Sequence, residues 1–239
     1  TPTFDFKGKP DVTTRRLFKK YKEVADWTGS KLVDDLETQK FPFETETDAL
    51  GRITLQKAPD GSIIVPFYNE AGLLNAESVQ HPNQPLKEYI RNIDYNEKGQ
   101  RNFIQYGNGV KTRFEYDPET FRLGHLKSTD GVKDLQNIAY TYDAVGNITR
   151  IQDDAHDPVF FNNRVVEPVN TYTYDALYRL TEATGRENVN GSGRATNDNW
   201  NDATFMQPKP MTVRAYRQRF GYDGVGNILR MEHTADGNP

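Results

Sequence analysis

The stretch YTYDAVGNITRI, residues 140 to 151, recurs later in the chain and decides the fold. It returns as YTYDALYRLTEA at residues 172 to 183 and as FGYDGVGNILRM at residues 220 to 231. A chain that repeats one phrase builds its fold from one supersecondary unit that is used many times. The sequence therefore predicts a repeat architecture.

Alternation and turn chemistry predict that this unit is a β-hairpin. Tyr140 and Tyr142 alternate with a threonine, so both rings are expected on one face of a strand and the threonine on the other. Asp143 suits the first position of a type I turn, where its carboxylate accepts a bond from a backbone N–H two residues on. Gly146 accepts the positive φ that such hairpin turns require, and residues 148 to 151 form the return strand.

Relaxed copies of the turn extend the pattern through the chain. The step from Asp48 to Asn69 is 21 residues, which is enough for two strands and two turns. Looser copies pair Asp5 with Gly8 and Asn69 with Gly72. The positions predicted to have a structural role in turns, including the hairpin dipeptide at 108 and 109, are Asp48, Gly51, Asn96, Gly99, Asn108, Gly109, Asp117, Tyr142, Asp143, Gly146, Tyr174, Asp175, Tyr222, Asp223 and Gly226.

One copy departs from its own pattern. Tyr178 stands where the other two long copies have Gly146 and Gly226. Since a non-glycine residue at positive φ is strained, this turn is expected either to change type or to bear strain.

Composition narrows the classes of protein. Of the 239 residues, 35% are hydrophobic and 12% aromatic, which favours a thin β-sheet over a thick helical core. The net charge of −4 is spread over mixed signs and indicates no broad basic surface for nucleic acid. Because there is no cysteine, disulfides, zinc–thiolate sites and thiol catalysis are excluded together. The sequence contains no run of 18 apolar residues, which is the length that would predict a membrane span.

The chain divides by pattern into two parts. Residues 1–40 are predicted to hold the start of the repeats and a possible short helix, and residues 41–239 the repeat sheet. Residues 153–170 and 188–211 interrupt the rhythm, and the second of these, rich in Asn, Gly and Pro, is expected to leave the sheet as a long excursion. Both ends of the chain read as if they were cut from inside a longer protein.

The possible helix lies within residues 13–34. Leu17, Tyr21 and Val24 fall at i, i+4 and i+7, as on one face of an amphipathic helix. A strand is the open alternative, because of Thr13, Thr14 and Phe18. The basic residues of the same segment are interpreted as a solvated face rather than a nucleic-acid or lipid patch; they are Arg15, Arg16, Lys19, Lys20 and Lys22.

Three phrases carry a resemblance to a known family. YGNGVKTRFEYD begins at Tyr106, YTYDAVGNITRIQDDA at Tyr140 and YTYDALYRLTEATGRE at Tyr172. They resemble the YD repeats of the Rhs superfamily, which also includes the teneurins, and more narrowly the B component of bacterial Tc insecticidal toxin complexes. The resemblance covers nearly the whole chain from Phe4 onward.

The resemblance implies an all-β fold in which antiparallel YD-repeat hairpins form a curved, spiral β-sheet, part of a hollow shell. It implies a secreted bacterial toxin complex in which the shell encloses a toxic cargo polypeptide before translocation. The implied partners are the rest of the parent shell, a C-component-like partner and the cargo in the lumen, without nucleic acid and without membrane insertion by this segment. The propeller gate and the aspartyl self-cleavage core of the family do not occur in this sequence, so the segment is expected to be wall alone.

Motifs for catalysis and metal binding are weak. Asp153, Asp154, His156 and Asp157 cluster in one loop, but solvated loop charges explain them better than a metal site. Asn197, Asn199 and Asn201 begin like a calcium loop, and the match fails because Asp202 and Pro208 occupy the glycine and glutamate positions. No nucleophile is paired with a base. The sequence therefore predicts no enzyme activity, no catalytic residue, no cofactor and no metal.

Two functional alternatives stay open at this point. A glycan-binding or adhesive YD-repeat module of a cell-surface protein would need a cluster of exposed aromatic side chains, for which Trp200 with Phe205 is the candidate. An enzyme would have to rely on the acidic cluster near His156. The main prediction is a segment of an encapsulating shell.

Overall fold

The computed structural model describes residues 4, 7, 8, 10–25, 28, 33–188 and 213–235. In these residues the chain forms β-strands joined by turns, and no helix. The strands are β1 (Val12–Arg15), β2 (Phe41–Thr47), β3 (Ile53–Lys57), β4 (Ile63–Tyr68), β5 (Leu74–Gln80), β6 (Lys87–Tyr95), β7 (Arg101–Tyr106), β8 (Lys111–Tyr116), β9 (Leu123–Thr129), β10 (Asp134–Tyr142), β11 (Ile148–Asp153), β12 (Val159–Phe161), β13 (Arg164–Val166), β14 (Val169–Tyr174), β15 (Leu180–Asn188), β16 (Val213–Tyr222) and β17 (Ile228–Ala235).

The chain divides into two compact units, of which the first spans Thr1–Val110. Its strands β1 to β7 pair in the order of the sequence, each antiparallel to the next. This unit is therefore a meander of consecutive hairpins. The all-β, antiparallel fold class predicted from the repeats is confirmed.

The second unit spans Lys111–Pro239 and repeats the same plan. Strands β8 to β11 and then β14 to β17 pair antiparallel in sequence order. Strands β12 and β13 form a separate hairpin that contacts β16. This hairpin lies in the 153–170 interruption that the sequence pattern predicted.

The hydrophobic core is thin, as the low hydrophobic content predicted. Among the described residues, the buried apolar side chains are Ile93, Ile104, Val166 and Ala183. Buried hydroxyls accompany them: Thr112 and Ser128 face each other on β8 and β9, with 2.8 Å between their Oγ atoms. Because so little apolar surface is removed from water, hydrogen bonds between neighbouring hairpins carry more of the structural order than in a thick core.

The predicted helix within residues 13–34 is wrong for the part of that segment that the structure describes. Val12–Arg15 is a strand paired with β2, and Phe18 forms an isolated bridge with Leu36. The side chains of the predicted apolar face are largely exposed among the described residues, with Tyr21 at 81% and Val24 at 98%. An amphipathic helix is stabilised mainly by burial of its apolar face, so without a partner the strand alternative prevails.

Candidate functional site

The repeated turn is a compact hydrogen-bonded loop built around one aspartate. In the turn between β10 and β11, the N–H of Asp143 donates to the carbonyl of Asn147 at 2.9 Å, and the N–H of Gly146 donates to the carbonyl of Asp143 at 3.2 Å. The Oδ1 atom of Asp143 accepts bonds from the N–H groups of Val145, Gly146 and Asn147 at 3.1, 2.7 and 2.8 Å. Gly146 has a φ of 110°. One carboxylate oxygen thus organises the whole turn.

The same arrangement recurs at other predicted positions. In each, the side-chain oxygen of the first residue accepts N–H bonds from the second and fourth residues that follow it; these turns begin at Asp48, Asn96, Asp175 and Asp223. Gly51, Gly99 and Gly226 have positive φ, like Gly146. Asp5, predicted as the first copy, lies outside the described residues.

The turn at Asp117 is one residue longer. The N–H of Asp117 donates to the carbonyl of Arg122, and its carbonyl accepts from the N–H of Phe121. Phe121 has a φ of 60°, where the shorter turns have glycine or Tyr178. Asp117 therefore keeps its position in the repeat while its turn differs.

Asn108-Gly109 forms a turn of the common kind. The N–H of Gly109 donates to the carbonyl of Tyr106 at 3.0 Å, and the N–H of Val110 donates to Oδ1 of Asn108 at 3.1 Å. Gly109 has a φ of 91°, and Asn108 is not at positive φ. Gly109 therefore takes the place of Gly146, and Tyr106 the place of the aspartate.

The fourth residue after the aspartate completes the turn, and the sequence pattern did not identify it. Here the second carboxylate oxygen, Oδ2, accepts from a side chain: Nε of Arg52 and of Arg179 at 2.7 Å, and Nδ2 of Asn147 and of Asn227 at 2.8 Å. The recurrence of Asn or Arg at this place in the three long copies is the signal that could have indicated it. Both carboxylate oxygens of these aspartates thus accept hydrogen bonds from residues of the same turn.

In four of the turns, those that begin at Asn96, Asp143, Asp175 and Asp223, the tyrosine before the turn joins one hairpin to the hairpin before it. It occupies a β-bulge next to the turn, where the register shifts. Its hydroxyl donates to the carbonyl of the first residue of the return strand of the preceding hairpin. The pairs are Tyr95 to Leu74 at 2.6 Å, Tyr142 to Leu123 at 2.9 Å, Tyr174 to Ile148 at 2.8 Å and Tyr222 to Leu180 at 2.8 Å. We call this bond the tyrosine latch.

An arginine of the preceding turn reinforces two of these latches. The guanidinium of Arg122 lies 5.7 Å from the ring centroid of Tyr142, and its Nη1 donates to the carbonyl of Asp143 at 3.1 Å. Arg179 does the same for the last turn, at 4.8 Å from the ring of Tyr222, and donates to the carbonyl of Asp223. A cation over an aromatic face and a hydrogen bond to the turn act together.

In the three long copies, the two aromatic residues of the strand before the turn have similar burial, but their rings do not stack on one another. Tyr140, Tyr142, Tyr172, Tyr174, Phe220 and Tyr222 are half-buried. Thr141 and Thr173, which alternate with them, are exposed. None of the six rings takes part in the ring–ring contacts of the described residues, which are His81 with Tyr89 and Tyr216 with His233. The rings are instead held by the latches.

A matched pair of tyrosine variants measures one latch. Tyr222→Phe keeps the ring under Arg179 but removes the hydroxyl, leaving the Leu180 carbonyl without that donor. We expect it to lower the free energy of unfolding by about 1 kcal/mol, measured by urea denaturation. Tyr178→Phe is the control, because Tyr178 is 60% exposed and its hydroxyl has no partner among the described residues. Equal stability of the two variants would contradict the latch.

Hydrogen bonds lower the pKa of the turn aspartates. For Asp175 the N–H of Arg179 is the main cause, and for Asp223 the side-chain amide of Asn227. For Asp143 partial burial raises the pKa, but the bonds from Asn147 and Gly146 together outweigh it. All of these turns therefore favour the ionised carboxylate.

A dependence of stability on acid follows from the direction of these shifts. Because the folded pKa lies below the unfolded value, the stabilisation is complete above about pH 4 and is lost as the pH falls through the folded pKa. We expect the urea midpoint to drop as the pH falls below about 4. In the triple variant Asp143→Asn, Asp175→Asn and Asp223→Asn this drop should be smaller, since Asn96 already makes the same backbone bonds. An unchanged pH profile in the variant would refute the assignment.

The acidic cluster at Asp153 serves the fold. Oδ1 of Asp153 accepts from the N–H groups of Asn137 and Ala155 at 2.8 and 3.1 Å, and its Oδ2 lies 3.7 Å from Nε2 of His156. Oδ1 of Asp154 accepts from the amide of Gln152. In the part of the chain that the structure describes, no three His, Asp or Glu side chains gather as a metal site would require. Nor does that part contain a helix of the length and apolarity needed to cross a membrane.

Several sequence candidates lie outside the described residues. They are the calcium-like run from Asn197 to Pro208 and the aromatic pair Trp200 and Phe205. The predicted excursion of residues 188–211 is outside as well, except for Asn188, which ends β15.

The similarity of this chain to known proteins extends over most of its length. No family model matches the chain. It is 32% identical over 247 aligned residues to the toxin subunit YenC2 of Yersinia entomophaga and 31% identical over 225 to the toxin subunit YenC1 of the same organism. These alignments cover 98% and 88% of this chain but only 25% and 22% of the relatives. The chain thus spans about a quarter of their length.

Solved structures give the same result. The crystal structure of TcdB2-TccC3 matches with a TM-score of 0.77 and 30% identity, over 99% of this chain and 11% of that chain. A Photorhabdus luminescens Tc holotoxin pore structure, with a TccC3 mutation, matches with a TM-score of 0.76 and 30% identity, over 98% of this chain and 11% of that chain. The curated relatives are therefore toxin subunits and the structural neighbours are Tc toxin components, as the resemblance predicted.

Proposed function

Because this chain belongs to the YD-repeat (Rhs) superfamily and is homologous to Tc toxin subunits, we propose that it is a structural segment of an encapsulating β-shell in a secreted bacterial toxin complex. In this role the segment forms part of the shell wall. It helps to sequester a toxic cargo polypeptide before translocation and catalyses no reaction itself. The turn positions named above then act as structural residues.

The tyrosine latch is the observation that carries the proposal. A wall made of one thin sheet has little core, so it needs bonds from each hairpin to the next. Four latches supply such bonds, each reaching from a turn to the hairpin before it. The side chains of these turns are engaged in bonds within the repeat, which supports a structural role over a binding role.

The relatives bear on the proposed partners. Both curated relatives are toxin subunits with YenC names, and the solved structures join TcdB2 to TccC3. We propose that the partners are the remaining repeats of the parent shell, the complementary shell component and the cargo in the lumen.

Protease protection tests the shell role. The parent subunit that contains this segment is assembled with its complementary component and its cargo, and is treated with a nonspecific protease. We expect the assembled cargo to survive at protease levels that digest the same cargo expressed alone. Loosening a latch with Tyr222→Phe should shorten that survival, whereas Tyr178→Phe should not. Digestion of the assembled cargo as fast as the free cargo would refute the proposal.

A further inference from the structure

A cleft of about 660 Å³ lies in the second unit, between the β12–β13 hairpin and the sheet. The hairpin contributes Arg164, Val165 and Val166, and the floor includes Thr171 and Thr184. Val166 is only 4% exposed and anchors the hairpin, while Val165 is 58% exposed. A cleft of this volume is in the range of sites that hold a ligand.

The floor of the cleft is a row of directly paired residues on four neighbouring strands. Arg150 on β11 pairs with Thr171 on β14, Thr171 with Thr184 on β15, and Thr184 with Arg217 on β16. The two threonine Oγ atoms are 2.5 Å apart. Arg150 and Arg217 are three strand spacings apart, a distance of roughly 14 Å.

The charge of the cleft is opposite to that of the chain. Its lining includes Arg150, Arg164 and Arg217 but only one carboxylate, Glu167, although the whole chain has a net charge of −4. Arg150 and Arg164 are exposed and have no ion-pair partner among the described residues, whereas Arg217 lies 3.5 Å from Glu182. Arg150 and Arg164 are thus available to an anionic partner, and Arg217 can share its guanidinium because its ion pair with Glu182 is solvent-exposed and weak. Arginine binds carboxylates with paired hydrogen bonds.

The spacing selects the kind of anion. A single phosphate or carboxylate cannot reach both ends of a row that is roughly 14 Å long, whereas an extended peptide covers that distance with about four residues. A nucleic-acid strand would need aromatic faces for base stacking. Tyr216 is the one aromatic residue among the described lining residues, and its ring is already stacked on His233 at 5.5 Å between centroids.

We propose that this cleft binds an extended acidic peptide segment, with two carboxylates about four residues apart that pair with Arg150 and Arg217, and with Arg164 contacting the peptide from the hairpin side. Residues i and i+4 of an extended chain point to the same side, so both acidic side chains can face the floor. The inference does not depend on the shell role, because the cleft would bind a free peptide of this chemistry.

Fluorescence anisotropy with a labelled peptide tests the proposal. The probe is a Gly/Ser decapeptide with Glu at two positions four residues apart, and its partner probe has Gln at both. We expect the whole chain to bind the Glu probe at least about tenfold more tightly than the Gln probe, and added salt to weaken that binding. The double variant Arg150→Gln, Arg164→Gln should weaken Glu-probe binding by about tenfold. Glu167→Gln should strengthen it, because it removes the opposing carboxylate.

The control is Arg91→Gln, which removes one positive charge outside the cleft, on β6 in the first unit, where Arg91 lies 3.4 Å from Glu88. It should leave probe binding within about twofold of the parent chain. Circular dichroism checks that each variant is folded. The proposal is overturned by equal binding of the Glu and Gln probes, by an Arg91→Gln effect as large as that of the cleft variant, or by tighter binding of a single-stranded oligonucleotide than of the Glu probe.

Discussion

Replacing Gly107 by alanine is expected to lower the free energy of unfolding of the first unit by about 2 to 3 kcal/mol. The N–H of Gly107 donates to the carbonyl of Tyr89 at 2.9 Å. A Cβ at this position would lie 1.7 Å from the carbonyl oxygen of Glu88 and 2.8 Å from its carbon. Because these are backbone atoms, no side-chain rotation relieves the overlap, and β6 and β7 must move apart.

Gly224→Ala is the matched control for this variant. Gly224 is not at positive φ, and a Cβ there would meet nothing within 4 Å. The other long copies of the repeat have Ala144 and Ala176 at the same place. Urea denaturation should therefore show the Gly224→Ala midpoint at or slightly above that of the parent and the Gly107→Ala midpoint well below it. If the two glycine variants unfold together, the close approach at Gly107 is not a constraint on the fold.

Local chemistry explains why the turns could be predicted from the sequence. The role of an aspartate such as Asp143, and that of the glycine three residues later, depends on atoms within five residues, so each copy contains the information. Because the phrase recurs along the chain, the sequence also predicted that consecutive hairpins follow one another with antiparallel strands. The Asn108-Gly109 turn was located correctly for the same reason, although its positive φ falls on one residue alone.

Contacts between hairpins could not be read in the same way. The latch of Tyr142 joins residues 19 apart and that of Tyr222 residues 42 apart, because inserts of different length separate the turns. No fixed spacing therefore marks the acceptor of a latch. The close approach of Gly107 to Glu88 is equally nonlocal. The arginine cleft depends on the hairpin β12–β13, whose position against β16 no periodicity predicts.

Gly146→Val is expected to lower the free energy of unfolding of the second unit by about 1 to 2 kcal/mol through backbone strain alone, because a β-branched residue is forced to positive φ. Gly146 has a φ of 110°. A Cβ there would also lie 2.8 Å from Nη2 of Arg122. The side chain of Arg122 can turn away, but it then gives up its bond to the Asp143 carbonyl and its place over Tyr142, so the measured loss should lie at the upper end of the range.

Tyr178 supplies the reverse experiment. The turn that it closes keeps the common geometry, with the N–H of Tyr178 donating to the carbonyl of Asp175 at 3.0 Å, and Tyr178 is held at a φ of 61°. The strain expected from the sequence is therefore present. Since the side chain is 60% exposed, Tyr178→Gly loses little packing, and relief of strain should exceed the added freedom of the unfolded chain, for a net gain of about 0.5 kcal/mol. Urea midpoints that move in opposite directions for Gly146→Val and Tyr178→Gly would show that this turn position requires glycine for its φ. A loss of stability in Tyr178→Gly would instead mean that the tyrosine side chain contributes more than its strained backbone costs.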